Sequence, residues 1–208
     1  MLIMERTTSI ATLLDTHLEE AIAILAGAFG DSPLARYCFA DQEGYYDQAV
    51  RACVHLACAR RAAAGGAHLV AYHNEQLVGI AGIIPPEPGP LPTALRARWT
   101  WFAAVVGPQA AGRIEGIERA IERHRPSAPH CTLGALGVLP AAGGRGAGRA
   151  LLDAAHAYAG SHPSATGVYA VAATPEGVAC YERAGYRVVG REGLDGPTIS
   201  RLFRPRSV

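Results

Sequence analysis

Four glycines and one arginine occupy Gly143–Gly148, just after an apolar run that ends at Pro140 and just before an amphipathic helical pattern. Glycine lets a backbone approach a ligand closely, and the first N–H groups of a helix have no partner inside it. Together they form a cradle for an anion, and this one suits a diphosphate. Two other phosphate turns fit poorly. A P-loop places Lys and then Ser or Thr after its last glycine, whereas Arg149 and Ala150 stand there and the chain has no lysine. A dinucleotide fingerprint needs an acidic residue after the next strand to hold a ribose hydroxyl, and Val168–Ala172 ends without one.

On its glycines alone this segment reads as a flexible turn in a glycine-rich protein. Its neighbours argue otherwise. Cys131–Val138 is a strongly apolar strand, and Gly144–Gly160 is a helix with Ala147, Leu151, Ala154 and Tyr158 on one face. The opposite face carries Arg149, Asp153 and His156. The next strand, Gly167–Ala173, leads into a helix over Thr174–Ala184 that carries Tyr181. Thr174 is its N-cap, Pro175 its first residue and Gly185 its left-handed stop.

The elements before and after this unit follow from periodicity and breakers. Thr16–Glu19 has the form of a capping box, opening a helix with Leu18, Ile22, Leu25 and Phe29 on one face. Gly30–Pro33 stops that helix. A second helix is expected over Gln42–Ala63, with Gly65 and Gly66 beyond it. Ala67–His73 and Gln76–Ile84 form a hairpin across Asn74 and Glu75. A Pro/Gly-rich loop over 85–92 precedes two helices, Leu95–Val106 and Arg113–His124, broken at Gly107 and Pro108. Tyr186–Arg191 and Thr198–Phe203 supply the last two strands. The order predicts an α/β chain with a mixed sheet.

Composition narrows the partners. The 208 residues suit one domain, and half of them are hydrophobic. A formal net charge of +1 without a like-charged block argues against nucleic acid, and no long apolar run suggests a membrane. The five cysteines are scattered and odd in number, which reads as reduced thiols in a cytoplasmic protein. All 19 basic residues are arginines, a bias shared with the Ala, Gly and Pro excess, so single arginines carry less weight.

Val138-Leu139-Pro140, the glycine turn, and Tyr181-Glu182-Arg183-Ala184-Gly185-Tyr186 together resemble the acetyl-CoA-dependent GNAT acyltransferase superfamily. Within it, His124-Arg125-Pro126 and the Phe29–Pro33 segment are similar to the branch containing puromycin N-acetyltransferase. The two core motifs cover about residues 131–186, with a helical insertion at about 91–125, in a domain spanning 1–208. The resemblance implies a mostly antiparallel central sheet, flanked by helices, whose two parallel central strands splay apart to admit pantetheine.

It further implies that the backbone of Leu136, Gly137 and Val138 pairs with pantetheine, the amide of Val138 facing the thioester carbonyl. Gly143, Gly144, Arg145, Gly146, Ala147 and Gly148 would hold the pyrophosphate, with Arg149 one helical turn on. Tyr181 would be the general acid that protonates the departing thiolate. Acetyl-CoA is the implied cosubstrate, with no metal, and the acceptor is a primary amine of a small molecule. Relatives often carry a carboxylate at the position of Val171, Gln or Arg at Gly143 and Asn at Gly177, and all three are absent. His130, Glu176 and water remain as bases, while Glu115, Glu118 and Glu122 read as a solvated helix face. The missing carboxylate also leaves open a non-catalytic acyl-CoA-binding or regulatory module. Acceptor pockets in the family form from segments matching Phe29–Tyr46 and Leu91–Arg125, where eight aromatic residues make an aromatic lining plausible. Homodimers are common in such proteins, though nothing in this chain signals one.

Overall fold

A computed structural model describes residues 8–206. Seven strands form one sheet in the order β1-β2-β3-β4-β5-β7-β6. They are β1 (Thr8–Thr12), β2 (Ala67–His73), β3 (Gln76–Ile84), β4 (Cys131–Val138), β5 (Gly167–Ala172), β6 (Arg187–Gly193) and β7 (Thr198–Pro205). All neighbours run antiparallel except β4 and β5, so the expected mixed sheet with a central parallel pair is present.

The described residues form six α-helices: α1 (Leu18–Gly30), α2 (Pro33–Phe39), α3 (Tyr46–Ala63), α4 (Thr93–Arg123), α5 (Ala147–Gly160) and α6 (Pro175–Arg183). Leu151, Leu152 and Ala155 of α5 join Tyr181 of α6 in a core against the sheet. Ile22 and Leu25 of α1 and Val54 of α3 pack with Val70 and Ile80 in a second core. A third cluster, around Phe39, Val50, Phe102 and Ile114, ties α2, α3 and α4 together. No described helix is long and apolar enough to cross a membrane.

Several local expectations hold. Asn74 and Glu75 both take positive φ (50° and 65°), the geometry of a tight two-residue hairpin turn. The long segment α4 breaks at Gly107, whose φ of 83° and ψ of 165° interrupt the helix just before Pro108. Thr174 caps α6 by accepting from the Gly177 amide at 3.0 Å.

Others need correction. Thr16 caps nothing: Asp15–His17 wind into a 3-10 turn, and α1 starts from His17 without a side-chain cap. Ser32 and Pro33 start a helix as well as ending one, since Ser32 accepts from the Ala35 amide at 3.1 Å and Pro33 opens α2. The helix after the glycine turn begins at Ala147, three residues later than expected, because Gly144 and Gly146 both adopt left-handed φ (73° and 83°).

Candidate functional site

The parallel ladder between β4 and β5 is short. Cys131, Thr132 and Leu133 pair with Val168, Tyr169 and Ala170, and no pairing continues beyond them. On its other edge β4 stays paired with β3 as far as Val138. The register there steps from Gly82↔Ala135 to Ile83↔Leu133, so Gly134 has no partner and forms a bulge. The strands therefore part at Gly134, and the half of β4 beyond it has an open edge.

Main-chain alternation shows which groups face that opening. Leu139 donates its amide to Val78 O at 2.8 Å, which makes Val138↔Gly79 a non-hydrogen-bonded pair of the antiparallel ladder. The N–H of Val138, and by the same two-residue period that of Leu136, points away from β3 into the splay. Gly137 alternates the other way and its main chain belongs to Ile80. Its own service is close packing, because a Cβ there would stand 3.1 Å from both Ala28 Cβ and Leu25 Cδ2 of α1.

The glycine turn lies at the outer end of this edge. Pro140–Ala142 form a 3-10 turn, and the Gly143 amide closes it by donating to Pro140 O at 3.0 Å. That amide is therefore occupied. The Arg145 amide reaches Ala142 O only at 3.4 Å, a weak bond. The first amide bonded into α5 is that of Ala150, to Gly146 O at 2.9 Å. Among the described residues, Gly144, Gly146, Ala147, Gly148 and Arg149 have no main-chain acceptor for theirs. Positive φ at Gly144 and Gly146 with α5 behind them is a concave row of N–H groups at a helix N-terminus. Arg145 is exposed. Arg149 is spoken for on the surface, its Nε 3.0 Å from both carboxylate oxygens of Asp153, with a side chain 64% exposed.

Inside the splay two adjoining cavities open, of about 570 and 380 Å³, sharing Ala57, Arg61, Ile121, Gly134, Ala135 and Val171. Tyr181 borders the larger and Leu136 the smaller, while Val138 borders neither. Tyr181 is only 8% exposed and packs edge-on against Tyr186, ring centroids 5.2 Å apart. Burial, with a smaller push from Cys180, raises its phenol well above the usual tyrosine range. Burial thus favours its protonated form.

The wall facing the sheet is rich in charge. Glu118 pairs with Arg60 at 2.5 Å, and Glu122 pairs with Arg125 at 2.9 Å. Arg125 also donates to Thr132 Oγ1 at 3.0 Å. Glu118 and Glu122 border the larger cavity while their side chains stay 46% and 58% exposed, so they sit on a solvated helix face that also edges the cavity. Glu115 lies on the surface with Arg119.

The two side-chain bases proposed from sequence do not reach this space. His130 is buried at the start of β4, its Nδ1 2.8 Å from Ala128 O and its ring edge-on to Tyr169. Burial holds its pKa below the ordinary histidine value, and it borders a separate cavity beside Pro85 and Pro86. Glu176 is exposed on the first turn of α6 and lines neither splay cavity. Of the aromatic residues expected to line an acceptor pocket, Phe29 does so. Phe39 and Phe102 are buried core, and Tyr45 and Trp101 are exposed.

A model of the acetyltransferase (GNAT) family matches residues 32–186. The chain belongs to that family. Its members use acetyl-CoA as cosubstrate, and the short parallel ladder, the bulge and the glycine turn all lie within the matched stretch. No protein with a curated description matches. Solved structures share the fold at low identity. A histone acetyltransferase HPA2 and related acetyltransferase from Corynebacterium glutamicum is 20% identical, with a TM-score of 0.70 over 97% of this chain and 98% of that one. A ribosomal-protein-alanine N-acetyltransferase from Brucella melitensis is 17% identical, with a TM-score of 0.59 over 95% and 99%. An apo variant of agmatine N-acetyltransferase is 16% identical, with a TM-score of 0.60 over 95% and 99%.

Proposed function

We propose that this acetyltransferase moves the acetyl group of acetyl-CoA to a primary amine of a small molecule, both substrates bound at once. The observation that carries the reading is an open strand edge that runs from a concave row of free amides to two cavities bordered by Tyr181 and Leu136. An anionic diphosphate with a long, amide-bearing arm matches such a path at both ends. The likeness to the puromycin N-acetyltransferase branch adds a small-molecule acceptor to this reading. Arg125 of its His-Arg-Pro stretch lies on the cavity wall.

Acetyl-CoA supplies the acyl group as a thioester: the amine nitrogen bonds to the carbonyl carbon as the carbon–sulfur bond breaks, nitrogen losing one proton and sulfur gaining one. Gly144, Gly146, Ala147, Gly148 and Arg149 offer their amides to the diphosphate, with the Arg145 guanidinium above them. Gly143 contributes the bend rather than a donor. Val138 offers its amide to pantetheine. We assign the thioester carbonyl to Leu136 instead of Val138, because Leu136 is the open-edge residue that reaches the cavity. A fixed donor aimed at a carbonyl oxygen that gathers negative charge is worth on the order of 10²–10³ in rate.

Tyr181 holds the proton that the departing sulfur needs. Burial favours the protonated phenol, so the proton is in place when the thiolate departs. The amine's proton leaves through water on the side where Glu118 and Glu122 line the cavity. Holding amine and thioester together supplies much of the acceleration, as effective molarities reach about 10⁵ M or more. The test is release of free CoA with an amine panel, wild type against Tyr181→Phe. Release that depends on an amine and collapses in the variant supports the reading; coenzyme binding without release for any amine refutes it.

A further inference from the structure

The two cavities share one charged residue that nothing neutralises. Arg61, on α3, is 5% exposed. Its Nη1 lies 3.2 Å from His68 Nε2 and 3.9 Å from Cys58 Sγ, and its buried Nε has no partner. Among the described residues no carboxylate pairs with it; burial pulls its pKa down, opposed by Cys58. Burial and Arg61 itself hold the pKa of His68 down at about 4, so that ring is a neutral acceptor. The other buried arginine, Arg201, also has an unpaired Nε, but its charge is met: it donates to Glu192 Oε2 at 2.8 Å and to Ala120 O at 2.9 Å.

The backbone makes room for Arg61 at three places. A Cβ at Gly82 would fall 2.5 Å from its Nε, one at Gly134 2.9 Å from its Nη2, and one at Gly66 2.9 Å from its Cγ. Gly82 and Gly134 lie inside strands, where glycine weakens the sheet and marks a close approach. The Gly134 bulge thus also seats the guanidinium against the face of β3 and β4. The other cavity arginines, Arg60 and Arg125, are already matched by Glu118 and Glu122. The site carries one surplus positive charge, desolvated and facing the space where the acceptor must sit.

We propose that the acceptor amine also carries a carboxylate, bound by Arg61, so that the substrate belongs to the amino-acid class. Gly134 and Leu136 are two residues apart, about 7 Å of strand rise. That spacing separates the carboxylate site from the thioester by a few bonds, as in a short amino acid. Glu118 and Glu122 stand on the same wall, already paired with Arg60 and Arg125. The inference rests on the acetyl-transfer reading above and names the substrate class of that site.

The experiment compares free amino acids with their carboxamides and their decarboxylated amines in the CoA-release assay, first on the wild type and then on Arg61→Gln. Wild type should favour the carboxylate-bearing member by about 30-fold or more in kcat/KM, chiefly through KM. Arg61→Gln should erase that preference, and Arg61→Lys should restore part of it. Equal use of acid and carboxamide by the wild type overturns the inference while leaving acetyl transfer intact, as does a preference that survives Arg61→Gln. If no amine is acetylated, the acetyl-transfer reading falls. The inference is then decided by melting temperature: amino acids raise that of the CoA complex in the wild type but not in Arg61→Gln, or it is wrong.

Discussion

The segment from β4 to α6 and the helical segment from α1 to α4 meet at Gly134, and they recognise in different ways. From β4 to α6 the candidate contacts are main-chain amides, at Leu136, Val138 and Gly144–Arg149. Main-chain recognition constrains the sequence through glycines, caps and strand ends, which cluster locally. Across α1–α4 the candidate contacts are side chains such as Arg61, Glu118 and Glu122, brought together from distant helices. The first scheme fixes the cosubstrate and leaves a readable pattern. The second is free to vary with the acceptor and leaves none.

The sharpest way to separate the two sides is at their junction. Tyr181→Phe removes a proton donor and little volume, so kcat should fall about 10²–10⁴-fold while acetyl-CoA affinity changes little. Because burial raises the Tyr181 phenol, the wild-type rate should show no falling limb near pH 10 as the amine titrates. A pH-rate profile checks both: a loss below tenfold would move the acid elsewhere, whereas an alkaline fall abolished in the variant would keep Tyr181 as the acid and contradict its raised pKa.

A smaller effect tests the main-chain side alone. Gly146 needs φ of 83°, where a β-branched residue costs roughly 1–2 kcal/mol. Gly146→Val should weaken coenzyme binding about tenfold or more by calorimetry, with a much smaller loss of turnover at saturating coenzyme. Unchanged affinity would mean that the turn does not hold the diphosphate.

The smallest effect is expected where sequence reasoning also offered a contact. Arg149 already pairs with Asp153 on the surface, and exposed pairs contribute little, ~0–1 kcal/mol. Arg149→Ala should change coenzyme affinity less than about fivefold in titration. A larger loss would show the arginine swinging from Asp153 to a phosphate.

The same contrast explains what was legible in the chain. The hairpin turn at Asn74–Glu75, the break at Gly107, the Thr174 cap and the strand Cys131–Val138 follow from local residue chemistry and appear at or near their expected places. The short strand Thr8–Thr12 was not expected, since five residues of weak alternation mean little until β2 pairs with them. Ser32-Pro33 carries a stop signal and a helix-start signal in the same two residues, and the structure uses both. In the site, the glycine turn was visible, but the fate of each amide was not. Gly143 spends its amide on Pro140 O, and Gly137 its main chain on Ile80, facts set by 3-10 winding and ladder alternation. Arg61 was lost among 19 arginines. Its only local signs were glycines at 66, 82 and 134, whose common neighbour emerges only when α3 lies on the bulge.

A crystal structure of the complex with CoA tests the central claim most directly. The account predicts the diphosphate against the amides of Gly144–Arg149, pantetheine along the open edge of β4 at Val138, and the sulfur within hydrogen-bond reach of the Tyr181 hydroxyl. Coenzyme bound away from the splay, or a sulfur remote from Tyr181, would contradict it.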